Sequence, residues 1–487
     1  MLELIQQLFE CLDAKRVEYC HWKSNAFLGE AVRGIGDLDL LVRREHGDRF
    51  EALASALHFK QMAVPRWRSA ASVFHYLGLD LGSGQLVHLH VYFRLLTGGS
   101  LVKSCRIPLE HLVLEGRRRL DGVWVPAKDT ELLLFVVRKM LEYSSPTEVP
   151  LALRESQRAV AEFEWLLSGG TLSRTEILLD RWFPQIDRAL FQRATAALMP
   201  SGSLVDRCLS GVMMRWRLRD CMQQRVLLLE MVRAARLIRW VILRGLGRPP
   251  RVTPVRGGAL IAVIGPEASG KSTLVRELNT WLAEHVSTFA IHAGRPPSTF
   301  LTLLPDLLLP FLRRALPRYR SHQVETDRQT GVGTVSRTRL ILYAVRAVIL
   351  ALSRQRLLAR AERMVAGGAL VISDRFPSAT VGATDSAQLD PMTLSDTVPF
   401  RRLSMFEQRL YRRIQTPDVV FCLKSSLATA IERNASRDND EPDGYVRHRH
   451  AHWTSPQFRS SRVLELNSEG PLADTLLSAK QAVWECL

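Results

Sequence analysis

One segment limits the folds open to this chain more than any other: ALIAVIGPEASGKSTLVREL, residues 259–278. Six apolar residues of strand character run into Gly265. Gly270, Lys271 and Ser272 follow at the G-x-x-x-x-G-K-S spacing, and a helical pattern begins at once. The glycines let backbone N–H groups turn onto phosphate oxygens, and the following helix adds the positive end of its dipole. Lys271 would place a compact charge on β- and γ-phosphates, and the Ser272 hydroxyl suits Mg²⁺. The expected nucleotide-binding set is Gly265, Pro266, Glu267, Ala268, Ser269, Gly270, Lys271, Ser272 and Thr273, with ATP and Mg²⁺ as cofactors. Composition sharpens the point. Only nine of the 66 basic residues are lysines, and Lys271 stands alone between Lys139 and Lys424. Arginine's planar fork does not replace a lysine there.

At 487 residues, with 46% hydrophobic and 24% charged content, the chain is long enough for two or three folded domains and is not a disordered one. No run of eighteen uncharged apolar residues occurs, and the first residues lack the pattern of a signal peptide. Seven scattered cysteines without a C-x-x-C pair suit a reducing compartment rather than a disulfide framework. The expected location is cytoplasmic, with the inner membrane face as a peripheral alternative. Residues 1–145 mix helical and strand patterns: a helix in MLELIQQLFECLDAK, a strand in DLDLLV and a hairpin through SVFHYLGLD and QLVHLHVYFRLL. DTELLLFVVRKMLEY predicts a helix with Asp129 as its N-cap. Residues 146–250 read as a helical basic connector, GLGRPPRVTPVRGG as a linker, and 256–487 as a second α/β unit.

A second strand, ALVISDRFP, ends in Asp374-Arg375-Phe376. A carboxylate at the carboxyl end of a parallel strand lies near the phosphate loop, where it can hold Mg²⁺, and Arg375 can hold a phosphate. A third piece, TPDVVFCLKSSLATAIERNASRDND, is a strand followed by a helix carrying Arg433 and Arg437 on one face. In motif order, 256–487 resembles thymidylate kinase: the glycine loop with an acid at Glu267, then D-R-F, then P-D-x-V-x-x-L and an arginine-bearing lid. The resemblance implies a P-loop kinase fold with a parallel sheet. It also implies Lys271, Asp374, Arg375, Arg433 and Arg437 as catalytic residues, with Ser272 and Asp374 on the metal. Glu267 becomes a candidate contact for an acceptor hydroxyl. Two departures concern the acceptor. Lys424 stands where that family carries an aspartate, and no nucleobase pocket is recognisable in 290–345.

The amino-terminal segment YCHWKSNAFLGEAVRGIGDLDLLV resembles the nucleotidyltransferase fold. Asp37 and Asp39 share a strand face by period two and are the expected second metal pair. Lys23, Ser24 and Asn25 take the place of that fold's phosphate-contacting motif. Where the fold adds a third carboxylate, this chain offers His88 and His90. Two histidines with two aspartates would suit a softer divalent ion, or binding without catalysis. The fusion of both units resembles kinase-like proteins of bacterial exopolysaccharide clusters.

The middle is strongly basic. Residues 201–256 carry twelve arginines against three acids, a net +9 of the chain's +17. Arg225, Arg233, Arg236, Arg239 and Arg244 fall within an arc of roughly 140° on a helical wheel. Such a helix either lies on an anionic membrane surface through 215–244 or packs on the core with its arginines in solvent or paired with acids; the second reading is favoured. Nucleic acid is not expected, because aromatics are not interleaved with the basic residues. The partners expected are a nucleotide and a small-molecule phosphoryl acceptor, with a homodimer as a further one. The function expected is ATP- and Mg²⁺-dependent phosphoryl transfer to a nucleotide, sugar or related acceptor, in polysaccharide biosynthesis. The rivals are a nucleotidyltransferase with a regulatory kinase-like lobe and a non-catalytic ATP-binding scaffold.

Overall fold

The computed structural model describes residues 1–67, 72–99, 101–168, 172–246, 251–294, 296, 337–378, 385–389, 398–436, 442–451, 453, 458 and 462–487. Arg437 and nearly all of the proline- and leucine-rich 296–317 stretch lie outside them. The chain forms two units, Met1–Val255 and Arg256–Leu487.

The first unit is built on a sheet of order β1-β2-β5-β4-β3-β10. Its strands are β1 Tyr19–His21, β2 Asp37–Val42, β3 Lys60–Ala63, β4 Val73–Leu79, β5 Leu86–Tyr92 and β10 Thr253–Pro254. Two small hairpins, β6 Leu95–Thr97 with β7 Cys105–Ile107 and β8 Arg118–Leu120 with β9 Val123–Val125, lie beside it. β2 and β5 run parallel, and the other pairs in the sheet are antiparallel. Alternation along β2 sends Leu38 and Leu40 into one core with the Glu3–Ala14 helix, while Leu41 joins a second core on the other face.

That second core corrects the reading of 146–250 as a separate connector. Cys20, Trp22, Leu41 and Tyr92 give the sheet another apolar face. The Lys128–Glu142 helix covers it, joined by Ser156–Leu167, Leu172–Trp182, Arg188–Leu198 and Leu204–Arg217. These helices are therefore the second layer of the amino-terminal unit. Asp129 is not the N-cap of Lys128–Glu142: Ala127 holds that position without a side-chain bond, and Asp129 sits in the first turn, where its charge faces the positive helix end.

The arginine helix, Val226–Gly245, is turned opposite to a surface helix along part of its length. Arg233 is only 2% exposed and bonds Glu230 at 2.9 Å, with Glu148 at 3.7 Å. Arg236 donates to the Leu101 carbonyl at 2.9 Å. Leu227, Met231, Ile238 and Val241 point to solvent, as do Arg225, Arg239 and Arg244. The five arginines therefore do not form one solvent-facing stripe. Among the described residues, no helix is long and apolar enough to cross a membrane.

The second unit is α/β with a five-stranded, wholly parallel sheet of order β12-β13-β11-β14-β15. The strands are β11 Ala259–Ile264, β12 Thr288–His292, β13 Leu370–Asp374, β14 Val419–Lys424 and β15 Arg462–Asn467. β11, β13 and β14 are almost continuously buried, as expected of parallel strands covered on both faces. Helices Lys271–Ala283, Arg337–Ala366, Val398–Arg412, Leu427–Ala435 and Leu472–Cys486 connect and cover them. β11 is central, so the loop that follows it opens at the carboxyl edge of the sheet.

Candidate functional site: a glycine-loop cleft

The loop 265–270 needs its glycines for distinct reasons. A Cβ at Gly265 would lie 2.7 Å from Ser269 Oγ and 2.9 Å from the Leu423 carbonyl oxygen, which cannot yield as a flexible side chain would. Gly270 has φ +92°, and Ala268 also takes a positive φ of 60°. This places the loop in a left-handed turn directly before the thirteen-residue helix Lys271–Ala283. The arrangement aims a helix N-terminus into the cleft, a setting that favours anions.

The side chains converge as the spacing predicts. Val263 and His292 both pair in register with Asp374, which brings the ends of β11, β12 and β13 together. Glu267, Gly270, Lys271, Ser272, Thr273, His292, Asp374 and Arg375 line a cavity of ≈370 Å³. The Ser272 hydroxyl donates to Asp374 Oδ2, and Asp374 Oδ1 is buried with no hydrogen-bond partner. A divalent ion suits this donor set, a hydroxyl beside a carboxylate with one oxygen unspent. The Ser269 hydroxyl is likewise buried without a partner. Lys271 folds back onto the Pro266 carbonyl. Burial pulls its ammonium down to about 8, against the opposing pull of Glu267.

Arg375 and Glu267 are not presented as independent ligands. Arg375 donates to both Glu267 oxygens, the shorter at 2.9 Å, and to Asp385 at 3.3 Å. Its φ is +69°, a left-handed backbone at the end of β13, and Gly294 lets it approach: a Cβ there would lie 2.4 Å from Arg375 Cδ. Burial opposes ionisation of Glu267, yet Arg375 and Lys271 hold its carboxyl below the usual range. Asp385 is also held by Arg354 at 2.7 Å. Arg433 lies beside the loop, its Nη1 3.9 Å from where a Gly270 Cβ would be, and donates to the Ser468 carbonyl at 2.6 Å. Lys424 is exposed and paired with Glu465. The sequence reading missed His292, Asp385 and Arg354. Only the register of β12 against β13 could have singled out His292.

In the amino-terminal unit, Lys23 pairs with Asp39 at 2.9 Å. His88 Nδ1 meets Asp37 at 2.7 Å. The backbone N–H of Ser24 donates to Glu162, which Arg138 holds at 2.9 Å, so this turn already faces a carboxylate. The Asn25 amide donates to Glu131 at 2.8 Å. Lys103, not noticed in the sequence, donates to the Tyr92 hydroxyl at 3.1 Å; burial and the charge of Lys23 lower it to about 7.

The fold and cleft together define an α/β unit with a glycine loop at the carboxyl edge of a parallel sheet, a setting that suits an anion. No family model matches the chain. It is 26% identical over 233 residues to the "Uncharacterized ATP-binding protein YghR" of Escherichia coli K12, covering 46% of this chain and 86% of that protein. It is 26% identical over 242 residues to the "Uncharacterized ATP-binding protein YghS" of the same strain, covering 48% and 95%. Among solved structures, a thymidylate kinase from Candida albicans matches with TM-score 0.27 and 17% identity over 47% of this chain and 92% of its own. A gluconokinase from Sinorhizobium meliloti 1021 matches with TM-score 0.22 and 14% identity over 47% and 94%. Values this low relate no function to this chain.

Proposed function

We propose that the carboxyl-terminal unit binds ATP with Mg²⁺ and transfers its terminal phosphoryl group to a small acceptor of the nucleotide or sugar class. The observation that carries this is the meeting of Ser272 with Asp374, whose other oxygen is unspent, beside Lys271 and the glycine loop. The names of the Escherichia coli relatives support the ATP part.

Ser272 and Asp374 would hold the metal, which when bound supplies positive charge against the phosphates. Lys271 neutralises the β- and γ-phosphates, and the loop with its helix end orients them. Arg433, beside Gly270, closes over the transferring group. Arg375, fixed by Glu267 and Asp385, would meet the phosphate of a phosphorylated acceptor. Phosphoryl transfer is mostly positioning and charge stabilisation, so these residues suffice without a covalent nucleophile.

The test is ADP release by the full chain with ATP, Mg²⁺ and a panel of nucleoside monophosphates and sugars, with Asp374→Asn and Ser272→Ala beside wild type. Acceptor-dependent ADP release that both variants lose supports the proposal. Tight ATP binding with no ADP from any acceptor above the Asp374→Asn level refutes it.

A further inference from the structure

The amino-terminal unit gathers ligating side chains that the phosphate cleft does not use. β4 runs antiparallel to β5 with His75 opposite His90. β2 runs parallel to β5 with Asp37 opposite His88 and Asp39 opposite His90. Period two then places all five side chains on one face of three adjacent strands. The sequence reading saw four of them; His75 enters only through the register of the β4–β5 hairpin.

The three imidazoles converge. One nitrogen from each lies within 4.8 Å of the other two, and His75 Nδ1 is 3.2 Å from His88 Nε2. A tetrahedral ion with metal–nitrogen bonds of about 2.0–2.1 Å separates its ligand nitrogens by about 3.3 Å. The ring of His90 stands edge-on to both of the others, at 4.5 Å between centroids.

The carboxylates stand on the other side of the rings. His88 turns Nδ1 to Asp37 at 2.7 Å, and His90 turns Nδ1 to Asp39 at 3.3 Å and Asp37 at 3.7 Å. A carboxylate that takes the N–H of one ring nitrogen fixes the tautomer and leaves the other nitrogen as a ligand, the usual second layer of a histidine metal site. Asp39 is in addition neutralised by Lys23, which leaves it a poor partner for a magnesium ion that wants oxygen ligands. The His88 and His90 side chains are themselves 12% and 18% exposed, so the cluster is within reach of solvent.

We propose that His75, His88 and His90 form a binding site for a transition-metal dication of the zinc type, with Asp37 and Asp39 orienting the rings. Imidazole sets favour such ions over magnesium. Asp37 and Asp39, expected from the sequence to be the ligands, become positioning residues.

The experiment titrates Co²⁺ into chelator-treated full chain, reads the visible absorption of four-coordinate cobalt, and displaces it with Zn²⁺. Variants are His75→Ala, His75→Gln, His88→Ala and Asp37→Asn; cobalt bound elsewhere persists in all four and is subtracted. The expected result is one four-coordinate cobalt per chain, displaced by zinc but not by millimolar magnesium. It should be lost in each histidine variant and weakened about 10–100-fold in Asp37→Asn. His75→Gln keeps the side-chain bulk, and thermal unfolding of each metal-free variant checks that it is folded. No histidine-dependent cobalt signal in wild type overturns the proposal. So does binding that survives both His75 variants but is abolished by Asp37→Asn, which would mark a carboxylate site.

Discussion

Arg375 and Glu267 form an ion pair at 2.9 Å that joins the end of β13 to the loop after β11. The sequence offers each a separate ligand, phosphate for the arginine and hydroxyl for the acid, but in the structure each is the other's partner. Glu267→Gln should therefore free part of the Arg375 charge and remove a repelling carboxylate near Lys271. Inhibition by pyrophosphate should tighten roughly threefold to tenfold, the effect of about 1 kcal/mol. An unchanged inhibition constant would show that Asp385 alone holds the guanidinium.

Lys271→Ala should lower ATP-dependent turnover on the order of a hundredfold or more while the fold survives, since it removes a charge contact to the transferring group. Wild-type kcat/KM should also fall as pH rises past about 8. Lys271 is charged below that value and loses its proton above it, and kcat/KM reports groups of the free enzyme. A pH profile flat to pH 10 would remove Lys271 from that role.

Much of the cleft was legible because each of its parts is a local pattern. Gly265 to Ser272 mark their loop by spacing alone, and DVVFCL and ALVISD announce buried strands by apolar runs. The partners that adjust the chemistry were not legible. Asp385 and Arg354 meet Arg375 or each other across loops, His292 is placed by strand register, and His75 by a hairpin. The covering role of the helices after Glu142 was hidden as well. Period two marks alternation along β2 and β5 but does not say that both faces are dry. The arginine helix follows the favoured reading, with Arg225, Arg239 and Arg244 exposed and Arg233 paired with acids, but the periodicity of charge did not reveal that the partners are Glu230 and Glu148.

Arg233→Ala should destabilise the amino-terminal unit by about 3–5 kcal/mol, because it removes a guanidinium only 2% exposed from between Glu230 and Glu148. Arg225→Ala, on the same wheel arc but exposed, should stay within about 0.5 kcal/mol. Chemical denaturation of the two variants separates these cases. Equal effects would mean that Arg233 is not part of the packed core.

Glu131 gives a stability trend with pH. Burial raises its carboxyl to about 7, against the hydrogen bond from Asn25, and its Oε2 is buried with no partner. The folded chain thus keeps a proton that the unfolded chain releases near 4.5, so this residue's contribution to stability declines as pH rises from about 4.5 to about 7. Glu131→Gln imitates the protonated form. Its stability relative to wild type should grow across that window by up to roughly 3 kcal/mol and level off above it. Parallel stability curves for the two proteins would show that Glu131 stays ionised.

The central position of β11 bears on how the second unit is made. Both strands that flank it arrive late: β13 begins at Leu370 and β14 at Val419, whereas β11 ends at Ile264. At synthesis rates of about 5–20 residues per second, the strand ALIAVI leaves the ribosome roughly 5–20 s before its first neighbour exists. During that interval its six apolar residues have both edges open, the condition under which strands pair with the wrong chain. The glycine loop cannot hold its shape in this interval either, since Leu423 packs against Gly265 and Asp374 meets Ser272 only after the flanking strands are in place. Nucleotide affinity should therefore appear late in synthesis, once the chain has passed β14.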